Sequence, residues 1–231
     1  MKGMRRLMLA AVMVLAVATV AGAITMPLSE LLRPGVTLQQ GDKIFGDFEY
    51  QGLVNPAVIS IQGIGNGTAL DLYGISIQGG LFAQDGGFLD IDLKYSVKVA
   101  EGYAFKISDI HQYVNIGIGG EGKGSVLVHE DALDAPGGNV VAWSTVSEAF
   151  GVSDISDPPR ELTDLLDINP PLKQIWIKKD ILLVAGERSV ISATIIEQRF
   201  SQRCPDGGSA LMLLGGSFCL LGLVKRLIKK A

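Results

Sequence analysis

The chain has 231 residues, 48% of them hydrophobic and 19% charged, a composition that can bury a core and excludes a wholly disordered protein. Its net charge of −4 hides an asymmetry. Residues 24–205 keep 13 of the 20 basic residues and 23 of the 24 acidic ones, a charge near −10, which excludes the basic footprint of a nucleic-acid binder.

Lys2, Arg5 and Arg6 precede an apolar run over 7–20, and Ala21-Gly22-Ala23 supplies the small residues that a signal peptidase accommodates. Residues 1–23 are therefore expected to be a cleaved secretory signal, with Ala21 and Ala23 at the cut and Ile24 as the mature start. The run is shorter than the ~20 residues of a spanning helix, which argues against an uncleaved anchor.

Strand patterns follow at 44–50, 58–61, 70–77, 88–100, 103–107, 113–118, 125–129, 140–145, 174–178, 181–184 and 189–200. In the clearest, Leu89, Ile91, Leu93, Tyr95, Val97 and Val99 alternate with Asp90, Asp92, Lys94, Ser96 and Lys98, so one face is core and the other is wet. The apolar parity switches across Gly74, as a bulge requires. Glycine-rich turns fall at 63–67, 84–87, 119–124 and 136–139. These short strands predict an all-β exported domain over 24–203, an antiparallel, jelly-roll-like β-sandwich. Residues 153–171 differ, with Asp154, Asp157, Glu161, Asp164 and Asp167 among four prolines. The expectation there is an acidic insertion carrying a short helix that starts at Asp157 and buries Leu162, Leu165 and Leu166.

Catalytic patterns do not assemble. Gly117-Ile118-Gly119-Gly120-Glu121-Gly122 has the spacing of a dinucleotide-binding loop, but an alternating strand follows it where a helix is needed, so a hairpin turn is expected. His111 and His129 have no zinc-like spacing to a second ligand, and His129-Glu130-Asp131 reads as a solvated turn. The exported part has no Gly-x-Ser-x-Gly elbow. Trp143 and Trp176 are expected to pack in the core or on a sheet face. Asp90 and Asp92, with carboxylates of the acidic insertion, leave a calcium site open as a chemical option, although a full calcium loop is absent. No other cofactor is expected, and none of these residues is assigned a catalytic role.

Residues 204–231 form a tail of their own. Cys204-Pro205-Asp206-Gly207-Gly208-Ser209 keeps the chain extended, and 207–224 is uncharged and would span about 27 Å as a helix, close to a bilayer's hydrocarbon core. Lys225, Arg226, Lys229 and Lys230 follow, a basic tip over 225–230 of the kind held on the cytoplasmic side. Cys204 and Cys219 are the only cysteines; a helix between them separates them by about 22 Å, too far for a disulfide.

A proline-containing motif, a span and a basic tip resemble the tripartite sorting tail of the PEP-CTERM proteins, especially the variants written Val-Pro-Asp-Ser-Gly or Val-Pro-Asp-Gly-Gly. Pro205, Asp206, Gly207 and Gly208 fit the second variant, and Cys204 stands where the family has Val. Residues 41–50, opening Gly41-Asp42-Lys43, and the stretches 178–181 and 192–202 are similar to the opening and closing strands of such proteins. The resemblance implies export in a Gram-negative, polysaccharide-producing bacterium and partnership with signal peptidase and an exosortase, a membrane cysteine protease. The expectation is a non-enzymatic surface or matrix protein, transiently anchored by its C-terminal helix, with exopolysaccharide as a partner. The alternatives are a calcium- or carbohydrate-binding lectin-like module using Asp90 and Asp92, and a hydrolase built from His129, Glu130 and Asp131.

Overall fold

A computed structural model describes residues 23–68, 72–151 and 161–203. The apolar start, the sorting motif, the 207–224 span and the basic tip lie outside them; of the residues at the expected signal cut, Ala23 is described and is exposed. No helix among the described residues is long and apolar enough to cross a membrane.

Two antiparallel sheets pack face to face. One runs β1 (Thr25–Pro27), β4 (Ser60–Ile64), β5 (Gly74–Gln78), β13 (Ser189–Arg203), β8 (Lys106–Gly120) and β11 (Glu161–Leu172), with β6 (Phe82–Gln84) also paired to β13. The other runs β10 (Val140–Phe150), β9 (Gly124–Leu133), β12 (Gln174–Ala185), β7 (Phe88–Val99), β3 (Lys43–Gly52) and β2 (Leu38–Gln40). The short helix α1 (Leu28–Leu31) buries Leu28 and Leu31 in the same core.

Strand periodicity explains the sandwich. In β7 the residues from Leu89 to Val99 at every second position are buried as the alternation predicts, and Ile175, Ile177, Ile181 and Leu183 do the same in β12. Facing them are Ile191, Ala193, Ile196 and Phe200 of β13, and Phe45 of β3 meets Phe200 across the gap with ring centroids 5.8 Å apart. Two inner faces thus interdigitate into one dry layer.

Several expectations need correction. Residues 161–172 form a strand paired to β8, not a helix: Leu166 and Ile168 are buried two positions apart, while Leu165 is exposed. Pairing with a sheet edge overrode the i, i+3, i+4 spacing of the leucines. Residues 106–120 and 174–185 are each one long strand where shorter pieces were expected. Gly74 opens β5 instead of bulging it, and a Cβ there would stand 1.9 Å from the Gln198 carbonyl oxygen, so glycine serves close approach to β13. The 117–122 segment is not the hairpin turn expected: residues 117–120 finish β8, and Gly120 and Gly122, both at positive φ, turn the chain across to β9 in the other sheet, with which β8 does not pair.

Candidate functional site

A cavity of about 510 Å³ opens at the end of the sandwich where β3 begins and β13 finishes. Tyr73, Tyr103 and Phe105 line it, with Phe200 as its buried floor. Tyr103 is 48% exposed and Phe105 40% exposed, although aromatic rings of this size are ordinarily buried.

Each wall is fixed by local structure. The Phe200 amide donates to the Tyr73 carbonyl at 3.0 Å, tying the loop before β5 to β13. Tyr73 lies directly on the backbone at Gly41 and Gly67: a Cβ would come within 2.2 Å of the ring at the first and 2.5 Å at the second, and both glycines have positive φ. Only glycine meets both demands. On the other side, the Ala100 amide donates to the Asp42 carbonyl at 2.8 Å and Lys173 Nζ donates to the Tyr103 carbonyl, which holds the 100–105 loop over the opening.

The polar side chains that line the cavity include Asp42, His111, Ser201 and Gln202, and each has a set partner, Asp109 standing behind the wall. Asp42 accepts from Lys43 Nζ at 3.0 Å and from Gln202 Nε2 at 2.6 Å. Burial pushes the Lys43 ammonium below its ordinary value, against the pull of Asp42. Asp109 accepts from Ser108 Oγ at 2.9 Å and from Ser201 Oγ, and lies 3.0 Å from His111 Nε2. Ser201 donates to the aspartate and not to the imidazole, so the order of a nucleophile, base and orienting acid is not present. The arrangement offers the Asp42 carboxylate with hydroxyl, imidazole and amide groups in a cavity that also presents aromatic rings.

The residues singled out from sequence fall elsewhere. His129, Glu130 and Asp131 lie within β9, not in a turn. His129 Nδ1 is 2.6 Å from Thr145 Oγ1 and its Nε2 is 3.3 Å from Asp131 Oδ1 on the outer face, whereas Glu130 is fully buried on the inner one. Strand alternation sends them to opposite faces, so the three cannot form one hydrolytic site. Of the two placements expected, Trp143 takes the sheet face and not the core: it is 67% exposed on β10, its ring 6.4 Å from His129, and Trp176 is half-buried.

Asp90 and Asp92 share the outer face of β7, and Asp180 of β12 pairs with Asp92. Burial, then the charges of Asp90 and Asp92, raise the Asp180 carboxyl above its ordinary value. Of the acidic insertion, Asp154 and Asp157 lie outside the described residues, and Asp164 does not join Asp90 and Asp92: it accepts from Ser144 Oγ at 2.6 Å beside β10, three strand spacings or about 14 Å from β7. Among the described residues no group of three His, Cys, Asp or Glu side chains could hold a metal ion.

Of the cavity residues, sequence reasoning reached His111 among the two histidines, and Asp42, Phe200, Ser201 and Gln202 only inside stretches with a family likeness, not as a site. The available signal was positional: Tyr73, Tyr103 and Phe105 all stand beside glycine-bearing loops, where aromatic side chains have little core to enter.

No protein-family model matches the chain, and no curated protein does. Among solved structures it is similar to the enzymatically active domain of bacteriophage CBA120 tailspike protein 4, with 9% identity over 70% of this chain and a TM-score of 0.31; the chain spans 20% of that protein. It is also similar to TmCBM61, solved with β-1,4-galactotriose, with 10% identity over 69% of this chain and 89% of that one and a TM-score of 0.32. The xylan-binding module CBM15 gives 9% identity over 79% of this chain and 99% of that one, with a TM-score of 0.29. At these TM-scores the likenesses carry no inference about what this chain binds.

Proposed function

We propose that the protein is an exported, non-catalytic surface module that holds a neutral polysaccharide chain in the cavity lined by Tyr73, Tyr103 and Phe105. The observation that carries this reading is the pair of exposed rings, Tyr103 and Phe105, in one cavity with the Asp42 carboxylate and the polar side chains of His111 and Ser201. A sugar ring offers C–H faces to aromatic side chains and hydroxyl donors to carboxylates, and this cavity supplies both partners. The charge near −10 of residues 24–205 favours an uncharged polymer over an acidic one.

Delivery rests on the tail. Pro205, Asp206, Gly207 and Gly208, the uncharged span and the basic residues from Lys225 to Lys230 support transient anchoring and processing by an exosortase-like protease. The surface or matrix role, in either its adhesive or its structural form, follows from binding plus delivery. Mass spectrometry of the mature protein from its host, with and without the sorting protease, tests this half; a chain ending at Ala231 in both removes it.

The binding half is tested by titrating the full-length protein in detergent with soluble neutral oligosaccharides. Replacing Tyr103 and Phe105 together by Ala should weaken binding by about tenfold or more while leaving the melting temperature nearly unchanged, since both rings are exposed. Binding that survives the double variant, or no binding to any neutral glycan, would sink the assignment.

A further inference from the structure

Four polar side chains meet in the dry centre of the sandwich. Lys179 of β12 and Glu130 of β9 are cross-strand partners in one sheet, and Gln112 of β8 and Gln198 of β13 are cross-strand partners in the other. Lys179 and Glu130 are fully buried, and Gln112 and Gln198 are 1% exposed. Lys179 Nζ lies 2.5 Å from Glu130 Oε2 and 2.8 Å from Gln112 Oε1, and Gln198 Nε2 donates to the same Glu130 oxygen.

The cluster is poorly satisfied for an interior of this kind. Gln112 Nε2, Glu130 Oε1, Gln198 Oε1 and the Tyr95 hydroxyl all lack a hydrogen-bond partner although fully enclosed. Each such group carries a desolvation cost, so a merely structural network of this composition is a poor one. Its chemistry suggests another use. The Lys179 amine is held in contact with the primary carboxamide of Gln112 on one side and the carboxylate of Glu130 on another, away from water. With a carbonyl bond of about 1.23 Å, the Gln112 Cδ atom can be no more than about 4 Å from Nζ, close to the separation at which a held nucleophile attacks. Burial also drives the lysine toward its neutral, nucleophilic form, with Glu130 pulling the other way.

We propose that Lys179 and Gln112 join in an intramolecular amide bond that links the two sheets covalently, with Glu130 as the catalytic proton carrier. Nζ attacks Cδ of Gln112 and forms the new C–N bond. The proton given up by Nζ passes to Glu130 Oε2 and from there to Nε2, whose bond to Cδ breaks. Ammonia leaves, Glu130 is regenerated, and no oxidant, reductant or nucleotide is consumed. Gln112 is favoured over Gln198 because its oxygen receives the lysine directly, while Gln198 presents its nitrogen to Glu130. The bond would close a segment from 112 to 179 and pin β8 to β12 at mid-strand, which suits a protein under load at a cell surface.

Intact mass of the full-length wild-type protein decides the matter without any variant. The expected value is lower than that of the encoded chain, with the same termini, by one ammonia, about 17 Da, and proteolysis should yield a branched peptide joining Lys179 to Gln112. The unreduced mass overturns the proposal. A loss of one water, or a branch from Lys179 to Glu130 or Gln198, also overturns it by assigning a different acyl donor. Lys179→Arg and Lys179→Met should restore the encoded mass, and Glu130→Gln should leave most molecules unlinked; full linkage in Glu130→Gln would remove the carboxylate from the mechanism.

Discussion

Among the described residues, two buried lysine–carboxylate pairs each take glutamine partners, and they are built in opposite ways. At the cavity end, Lys43 and Asp42 are neighbours in the chain and Gln202 closes over them from β13. At the centre, Lys179 and Glu130 lie 49 residues apart and meet only through the register of β12 against β9, while Gln112 arrives from the opposite sheet. The end trio borders an open cavity, so water can enter if a partner is lost. The central one has no such recourse. The same residue types therefore form the wall of an open cavity in one place and a closed cluster, the proposed site of linkage, in the other.

That contrast can be broken by deleting each carboxylate. Glu130→Ala leaves the buried Lys179 with the Gln112 oxygen but no counter-charge and, measured against the unlinked chain, should cost about 3 to 5 kcal/mol in chemical denaturation, the range for one-sided removal of a buried ion pair. Asp42→Ala also removes the partner of a fully buried lysine, but beside the cavity, where solvation softens the loss to about 1 to 2 kcal/mol. Equal costs for the two variants would show that the cavity gives no relief and that the two pairs are equivalent in energy.

The same contrast explains what the sequence made legible. The faces of β7 could be read by alternation because no core position of that strand is charged. Residues 129–131 looked like a turn, 179–180 split one strand into two, and the neighbourhood of Gln112 split another. These breaks have a single origin. His129, Glu130 and Asp131 pair with Asp180, Lys179 and Lys178, and Gln112 pairs with Gln198, so the polar interruptions are one cluster seen from several strands. Periodicity marks a buried polar residue as a loop, because it senses hydropathy and not the partner across the sheet. Residues 161–172 failed for a related reason: Leu162, Leu165 and Leu166 fit a helical face until the edge of β8 supplied backbone partners. The cavity was least legible, since it assembles Asp42, Tyr73, Tyr103 and Ser201 from four separate segments.

The smallest effect isolates charge from burial on a single strand. Asp180 follows Lys179 in β12 but faces outward, half-buried, where it pairs with Asp92 and with His129 on the two neighbouring strands. Burial, Asp90 and Asp92 raise its carboxyl above the ordinary 3.8, and His129 and Lys178 oppose them. The folded protein thus holds this proton more tightly than the unfolded chain does. Its contribution to stability is complete below pH 3.8 and is lost as pH rises through the raised value. Asp180→Asn removes the ionisation, so relative to wild type it should gain stability across that window and keep the gain above it. The group is partly screened by water, and the expected rise in melting temperature near pH 7 is only about 1 °C, vanishing near pH 3. A loss of stability at neutral pH would instead mean that His129 or Lys178 holds the carboxylate as a true ion pair. The outer face of β12 would then resemble its interior, with charge matched by a partner at both depths.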